Sequence, residues 1–434
     1  MNVKVEIYRD TSGNPFPIII KNGVFPACLY MNAYLNGNHN SSRSKSYKIQ
    51  SSQTPALNTR IKYAYELKLI YLHFTSKNIN LVQRVSSAEF LTISELEEFV
   101  RLCKLYAVNE HTEKTNIINL TDTRIRNAIY ATANSQAQVS AHTFRQRLIR
   151  LKSYIEYLYL FHHEQSSINL NVQMDDKLRV FQLYMNRLIS GIRKDNTETK
   201  DPLTSIIPAE KFFKLLEIIQ ASSPRNPFKL SRLRNQIIMQ IMIDTGVRVG
   251  AILKIKISDL IDDWDNPRFL LTKTPNDTTD KRSNPAKNKT KPLSVSISSD
   301  LMKLLKLYID TIRVVHSKSL EHDFIFISEK GISSGQPITY EGIHKVVDKF
   351  GKTISIKLHA HKLRHKWNEI FTVKAELAGY DPAQINDMRR YCMGWSANSK
   401  MDLIYNEFMH AVKSAELSAK NQNKSVPVLR NSNE

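Results

Sequence analysis

Cysteine is scarce in this 434-residue sequence, and the three that occur, Cys28, Cys103 and Cys392, lie far apart without a Cys-x-x-Cys pair. This spacing argues against a disulfide framework and against a zinc finger, and it indicates a reducing, cytosolic environment. The sequence also contains no HExxH motif, no Walker loop and no GxGxxG loop. We therefore expect a protein that uses no metal ion and no cofactor.

Long apolar runs are absent as well, since no stretch approaches the roughly 18 apolar residues of a transmembrane helix. The opening residues, MNVKVEIYRD, are too polar for a signal peptide. We therefore expect no membrane association and a cytoplasmic location.

Acidic residues are few relative to basic ones. The chain has 62 Lys and Arg against 41 Asp and Glu, which gives a formal net charge of +21. A balance this basic is typical of proteins that bind a polyanion, and nucleic acid is the first candidate. Since 41% of the residues are apolar, the chain can also build two or three domains with hydrophobic cores.

The order of patterns along the chain predicts a mainly helical protein. Residues 1–55, to which we assign no role, begin with two β-like pieces, VKVEIY and FPIII, and then become polar. Helical patterns fill residues 56–190, including one through NAIYATAN and a longer one, SAHTFRQRLIRLKSYIEYLYLF. The outer face of the longer helix is predicted to present basic side chains to DNA phosphates: Arg145, Arg147, Arg150 and Lys152.

A polar, charged stretch, residues 191–205, interrupts every periodic pattern and predicts an interdomain linker. Residues 206–420 are again mostly helical, with two strand candidates, RFLLTKT and KPLSVSIS, on either side of a long loop. Residues 421–434 are expected to be a disordered tail. The predicted fold class is mainly α, with a helical domain followed by a mixed α/β domain that contains a small antiparallel sheet.

The stretch DTGVRVGAILKI places an arginine in a tight turn. Gly246 follows an apolar helix and suits the left-handed residue that ends it, and the chain then restarts with apolar Ala251 and Ile252. Arg248 in that turn has two interpretations. Either it satisfies the carbonyl groups of the preceding helix, or it presents its guanidinium to a ligand.

The stretch HAHKLRHKWNEIF crowds positive charge at the start of a helix. The apolar residues predicted for its inner face are Leu363, Trp367 and Ile370. His361 and Arg364 are three residues apart and share an adjacent face. A guanidinium donates to two phosphate oxygens at once, and an imidazole transfers protons near neutral pH. The alternative is a solvated basic face, and we expect His359 and His365 to be ordinary polar residues.

The stretch YCMGWSANSKMDLIYNEF places Gly394 and Trp395 at the end of one helix and Tyr405 in a second, short one. By itself, a tyrosine beside Leu403 and Ile404 is typical of a hydrophobic core.

The order of these motifs changes that interpretation. The chain contains, in this order, TGxR, a lysine-bearing hairpin, HxxR, and GW followed ten residues later by Y. This order resembles the catalytic set of the tyrosine recombinases, the phage integrase family. The resemblance covers about residues 205–415, and the helical segment before it resembles that family's core-binding domain. It implies a site-specific DNA recombinase that cleaves and rejoins DNA through a 3′-phosphotyrosyl intermediate, in integration or excision of a mobile element.

The resemblance assigns a role to each motif residue. Arg248 and Arg364 would hold the non-bridging oxygens of the scissile phosphate, and His361 would be the histidine of HxxR. Trp395 stands where many members have a second histidine, and its indole can donate a hydrogen bond but cannot transfer a proton. Tyr405 would be the nucleophile, which needs cations and a base because the ordinary pKa of tyrosine is about 10.

The family's catalytic lysine lies on a hairpin loop and protonates the leaving 5′-oxygen. In this sequence PAKNKTKPLSV resembles the family pattern, which favours Lys287, with Lys273 as the alternative. Lys289 and Lys291 are expected to contact DNA phosphates.

The stretch from Arg364 to Trp395 is longer than in compact family members. We expect AELAGYDPAQINDMRR to fill it with an extra turn and a loop. The added length leaves Tyr391 as a rival nucleophile, although it precedes Gly394 and Trp395 rather than following them.

The resemblance also implies partners. Double-stranded DNA would be enclosed by the two domains, within a homotetramer or an assembly with a partner recombinase, and the bound protein would be associated with the bacterial nucleoid. Phe408, Met409 and Val412 are expected to dock on a neighbouring subunit. Two alternatives stay open: a catalytically silent DNA-binding accessory protein on the same fold, and an enzyme resembling type IB topoisomerases or telomere resolvases.

Overall fold

The computed structural model of the chain contains two compact units, Met1–Thr199 and Lys200–Glu434. The residues that the structure describes are 2–37, 55–105, 139–163, 168–192 and 206–425, except 275, 276, 278, 289, 397, 398 and 400. In this part of the chain, no helix combines the length and the apolar character needed to cross a membrane.

The first unit joins a small antiparallel sheet to a group of helices. Its strands pair in sequence order and are β1 (Val3–Arg9), β2 (Pro15–Lys21) and β3 (Phe25–Pro26). Its helices are α1 (Leu29–Asn36), α2 (Leu57–Ser76), α3 (Leu81–Ser86), α4 (Ile93–Lys104), α5 (Ala141–His163) and α6 (Ile168–Gly191). The two β-like pieces and the long basic helix are thus found where the sequence predicts them. NAIYATAN and almost all of the predicted linker lie outside the described residues.

The N-terminal strands share a hydrophobic core with these helices. Val3, Ile19 and Met31 belong to the same buried cluster as Phe99 of α4 and Leu151 of α5. The described part of residues 1–55 therefore helps to bury the apolar faces of the helices that follow it.

The second unit is also mainly helical around a three-stranded antiparallel sheet. Its strands pair in sequence order and are β4 (Leu260–Ile261), β5 (Arg268–Leu271) and β6 (Leu293–Ser296). Its helices are α7 (Ala209–Ile218), α8 (Arg232–Thr245), α9 (Val249–Ile252), α10 (Ser299–Tyr308), α11 (Tyr340–Thr353), α12 (Ala360–Leu377), α13 (Pro382–Cys392) and α14 (Met401–Ser425). Both strand candidates form strands, and the predicted fold class is confirmed.

Helix α12 packs on hydrophobic clusters with its predicted apolar face, but it also buries polar side chains that the sequence places elsewhere. Leu363 is buried, but Trp367 and Ile370 are only half-buried, whereas Arg364 and His365 are buried. The reason is polar pairing, since the Trp367 Nε1–H donates to the Asp244 carbonyl oxygen at 2.9 Å and so holds the indole at the end of α8.

The segment between the HxxR helix and the GW turn contains the predicted extra turn, at Gly379, but it has a helix, α13, in place of the predicted loop. Gly379 has a left-handed backbone (φ 84°) and turns the chain after α12. Asp381 then starts α13 with a reciprocal cap, accepting from the Gln384 N–H at 2.9 Å while Gln384 accepts from the Asp381 N–H at 3.0 Å.

Tyr405 lies on a 25-residue helix, α14, rather than on the predicted short one. Leu403 and Ile404 are exposed and do not form its surroundings. Phe408 and Met409 are buried within their own chain, so they do not form the free docking face that the sequence suggested. Residues 421–425, predicted as tail, are still helical.

Candidate active site

A glycine turn positions the first arginine. Helix α8 ends at Gly246, which has a left-handed backbone (φ 62°), a conformation that favours glycine. A Cβ atom there would lie 2.8 Å from the Trp367 ring, so a larger residue would clash. Arg248 follows at the N-cap position of α9. Within the described part of the chain its guanidinium makes no hydrogen bond or ion pair, so it does not satisfy the helix carbonyls.

Arg364 binds the same turn with one of its donors. It is 4% exposed, and its Nη1 donates to the Gly246 carbonyl oxygen at 2.6 Å. Its Nε and Nη2 are buried and have no hydrogen-bond partner among the described residues. Burial and the nearby charge of Arg248 lower the pKa of Arg364 to about 10, so the guanidinium stays charged at neutral pH.

Tyr405 is completely buried beside both arginines. Its ring stacks on Trp395, with centroids 5.3 Å apart and 18° between the ring planes. Burial lowers the pKa values of Arg248 and Arg364, and the nearby Tyr405 hydroxyl acts in the opposite direction. This hydroxyl makes no hydrogen bond of good geometry to a described residue. The phenol and the two guanidinium groups therefore meet within one chain.

A second glycine turn joins Trp395 to the β5–β6 hairpin. Gly394 has a left-handed backbone (φ 59°), and a Cβ atom there would lie 2.8 Å from Leu293 and 2.9 Å from Thr290. The Lys291 N–H donates to the Gly394 carbonyl oxygen at 3.0 Å. The Trp395 Nε1–H is buried, with no partner in the described part of the chain.

The three histidines of the HAHKLRH stretch have different surroundings. His359 is the N-cap of α12 and accepts a backbone N–H through Nδ1 at 3.3 Å. His361 is exposed, and desolvation together with the charge of Arg364 lowers its pKa, so it is neutral at pH 7 and can accept a proton. His365 is buried against Tyr405.

Five buried polar atoms without partners among the described residues occur in this cluster: Nε and Nη2 of Arg364, Nδ1 of His365, Nε1 of Trp395 and the hydroxyl of Tyr405. An unpaired buried polar group costs about 1–3 kcal/mol, so this arrangement is costly for packing alone. Most of these atoms are donors, which suits an anion with several acceptor oxygens, such as a phosphate.

The β5–β6 loop places the backbone of Lys287 against helix α9, which begins directly after Arg248. A Cβ atom on Gly250, two residues after Arg248, would lie 2.4 Å from the Lys287 carbonyl oxygen. Lys287 is half-buried, whereas Lys273 and Lys291 are exposed. Lys289 lies outside the described residues. Among the described residues, no group of three or more His, Cys, Asp or Glu side chains is arranged to hold a metal ion.

Comparison with known protein families identifies the region that contains this site. Residues 210–406 match the phage integrase family. The second unit carries a phage integrase family domain. The match includes all six predicted catalytic residues, from Arg248 to Tyr405, and the resemblance to the tyrosine recombinases is confirmed.

Two described proteins from a bacterium are similar in sequence to this chain. Transposase A from transposon Tn554 of Staphylococcus aureus is 31% identical over 132 residues, 30% of this chain and 34% of that protein. Tyrosine recombinase XerC of Staphylococcus aureus (strain COL) is 24% identical over 237 residues, 53% of this chain and 68% of that protein. The chain thus spans about a third of the length of the first relative.

A solved structure also aligns with the chain. It is the XerH site-specific recombinase bound to its palindromic difH substrate in a post-cleavage complex. The alignment covers 85% of this chain and 81% of that one, with 18% identity and a TM-score of 0.47.

The rival tyrosine of the integrase domain lies away from the buried cluster. Tyr391, at the end of α13, is 69% exposed. Tyr405, by contrast, stacks on Trp395 beneath the arginines.

A buried ion pair anchors the β5–β6 loop of the integrase domain, and sequence reasoning missed it. The Arg282 Nη2 donates to the Asp280 Oδ2 at 2.7 Å and to the Leu253 carbonyl oxygen at 3.0 Å, and its Nη1 donates to the Ile338 carbonyl oxygen at 2.8 Å. Asp280 also accepts from the N–H of Ala286, directly before the favoured lysine, at 2.9 Å. The available signal was the DKR tripeptide inside the loop, whose charges have opposite sign.

Only part of the basic face predicted for α5 is exposed and available to contact DNA. Arg145 is exposed. Arg147 donates to the carbonyl oxygens of Cys103 and Leu105, at 2.9 and 2.7 Å. Lys152 is half-buried, 3.5 Å from a Glu156 carboxylate oxygen.

Arg150 does not face solvent, and that prediction is wrong. It is 3% exposed, with its Nε 3.0 Å from the Glu66 carboxylate and its Nη1 donating to the Tyr34 hydroxyl at 2.6 Å. Its guanidinium carbon also lies 3.2 Å from the Tyr63 ring centroid. A buried carboxylate on α2 therefore draws this arginine inward.

Proposed function

We propose that this protein is a site-specific DNA recombinase that cleaves and rejoins DNA through a 3′-phosphotyrosyl intermediate, in integration or excision of a mobile element. The observation that carries the proposal is the burial of the Tyr405 hydroxyl beside unpartnered donors of Arg364 and Trp395. A transposase and a tyrosine recombinase among its relatives support the same conclusion.

In this proposal the two arginines bind the scissile phosphate. Arg364 donates through Nε and Nη2, and Arg248 and the Trp395 Nε1–H add further donors. Charge that develops on the phosphate oxygens is stabilised by these fixed groups, which need no reorganisation during the reaction.

The Tyr405 oxygen then attacks phosphorus. One ester bond forms to the phenol while the bond to the 5′-oxygen breaks, His361 accepts the phenolic proton, and Lys287 gives a proton to the leaving oxygen. Because one ester replaces another, the reverse attack by a 5′-hydroxyl reseals DNA without an external energy source.

The proposal extends to partners and location. Double-stranded DNA is the substrate, contacted through phosphates by Arg145 in the helical region, residues 56–190, and by the hairpin lysines. The acting assembly is a homotetramer on DNA, or includes a partner recombinase, in the cytoplasm and on the nucleoid when bound.

A nicked duplex from the flanks of the gene tests the proposal, because loss of the short strand traps the covalent adduct. Wild-type protein should form the adduct in the presence of EDTA, and Tyr405→Phe should form none while binding the duplex with nearly unchanged affinity. An adduct in the Tyr405→Phe variant, or dependence on a divalent metal, would refute it.

The other candidates have distinguishable outcomes. A silent accessory protein would bind the duplex without forming an adduct, and the presence of every expected polar side chain disfavours it. An enzyme like a type IB topoisomerase would relax supercoils without exchanging strands, and a telomere resolvase would yield hairpin ends.

A further inference from the structure

His365 connects the exposed histidine of α12 to the buried phenol. Its ring centroid lies 5.0 Å from that of Tyr405, 4.5 Å from that of His361 and 5.1 Å from that of Phe408. It is 8% exposed. The imidazole is therefore fixed by three rings, one of which carries the proposed nucleophile.

Both His365 and Tyr405 present a buried polar atom without a partner in the described residues, Nδ1 and the hydroxyl respectively. The titratable groups that act on His365 are His361, His359 and Arg364, all on or next to α12. Burial, followed by their positive charge, lowers the pKa of His365 to about 4. The ring is thus neutral at physiological pH, and one of its nitrogens is a hydrogen-bond acceptor.

We propose that His365 is a positioning residue for Tyr405, whose Nδ1 accepts a hydrogen bond from the phenolic hydroxyl when the DNA phosphate is bound. This inference rests on the proposed function and adds a residue outside the motif set. The hydrogen bond holds the phenolic oxygen in line with phosphorus before attack. As the bond to phosphorus forms, the O–H turns from Nδ1 to His361, which takes the proton, so His365 stays neutral. Misplacement of a reacting atom by about 1 Å costs roughly 10²-fold in rate.

Two substitutions separate the hydrogen bond from ring packing. His365→Phe keeps a flat ring and removes both nitrogens, whereas His365→Asn places a polar amide near the position of Nδ1. On the nicked duplex, we expect the rate of adduct formation to fall about 10²-fold for His365→Phe and less than about tenfold for His365→Asn. Band-shift affinity should stay within about threefold of wild type for both.

Two results would overturn the inference: a His365→Phe rate within about threefold of wild type, or equal losses in both variants. Tyr405→Phe, measured alongside, keeps the two proposals apart. An adduct formed by Tyr405→Phe overturns the recombinase itself, whereas an inactive Tyr405→Phe beside a fully active His365→Phe overturns the positioning role alone.

The wild-type chain provides a measurement that survives misfolding of a variant. In full-length protein labelled with ¹⁵N-histidine, the His365 Nδ1 should have the chemical shift of an unprotonated nitrogen between pH 6 and 8, and that shift should change when the duplex is added. A protonated Nδ1 in the complex excludes an acceptor role and overturns the inference.

Discussion

At the scale of single residues, Arg364 uses only one of its donors within the described part of the protein, and we propose that the others bind the DNA phosphate. Its Nη1 binds the Gly246 carbonyl oxygen, while Nε and Nη2 have no partner among the described residues. A lysine has a single nitrogen and cannot serve both. We expect Arg364→Lys to slow adduct formation on the nicked duplex by roughly 10²-fold, the scale of a lost oxyanion donor, with little change in band-shift affinity.

The matched control for Arg364→Lys is Lys352→Ala. It removes an exposed ion pair with Asp348 from the same unit and should cleave like wild type. A loss smaller than about tenfold for Arg364→Lys would contradict the role of its free donors.

The hairpin lysine can be tested by changing the leaving group. When sulfur replaces the 5′-bridging oxygen, the departing group has a pKa near 8.5 and needs no general acid. We expect Lys287→Ala to cleave ordinary duplex slowly and the sulfur-bridged duplex at nearly the wild-type rate, in single-turnover assays.

Lys273→Ala removes the same charge from an exposed position and should cleave both duplexes at the wild-type rate. Rescue of Lys273→Ala instead of Lys287→Ala would transfer the role to the alternative lysine.

At the scale of elements, the turn at the end of α8 holds the HxxR helix to the first arginine. Gly246 and Gly379 both have a left-handed backbone, which costs about 1–2 kcal/mol for an L-residue. Only at Gly246 would a Cβ atom also meet a ring, that of Trp367, at 2.8 Å; at Gly379 nothing lies within 4 Å.

We therefore expect Gly246→Ala to lower the free energy of unfolding by at least about 1 kcal/mol more than Gly379→Ala does. Urea unfolding followed by tryptophan fluorescence is suitable, because Trp264, Trp367 and Trp395 all lie in the second unit. Gly246→Ala should also slow cleavage, since it displaces the carbonyl that holds Arg364. Equal destabilisation by both substitutions would mean that the turn at Gly246 accommodates a Cβ atom with no additional loss of free energy of unfolding.

Much of the fold and of the site followed from local signals. Helical periodicity, the glycine after an apolar helix and the order of the short motifs predicted most of the strands and helices and three residues beside Tyr405, namely Arg248, Arg364 and Trp395. These signals are contained in short windows of sequence, so one chain was enough to find them.

The features that the sequence did not predict depend on contacts between residues that are distant in sequence. The basic pattern of α5 predicts Arg150 on the outer face, but Glu66, 84 residues earlier, binds it in the interior. The sequence predicts an ordinary polar residue at His365, because nothing in the motif pattern places this imidazole against Tyr405. The face that a polar side chain occupies is decided by what packs on it, and sequence periodicity does not contain that information.

At the scale of the whole molecule, the basic residues behind the net charge of +21 are not equally available to bind DNA. Arg145 is exposed and can release counterions from DNA, whereas Arg150 is committed to Glu66. We expect Arg145→Ala to lower the slope of log affinity against log salt by about 0.9, with no loss of stability.

Arg150→Ala should leave that slope unchanged and destabilise the first unit by about 3–5 kcal/mol, the cost of stranding a buried charge. Band shifts across a salt series and thermal unfolding measure the two effects. A salt slope that falls for Arg150→Ala would place this arginine on the DNA after all.

Tyr405, the proposed nucleophile, and both guanidinium groups belong to one polypeptide. If that arrangement persists on DNA, two defective proteins cannot complement each other: a mixture of Tyr405→Phe and Arg248→Ala contains no composite centre with every part. Each intact copy of the protein would then break one DNA strand, and no cleavage would need residues from two copies.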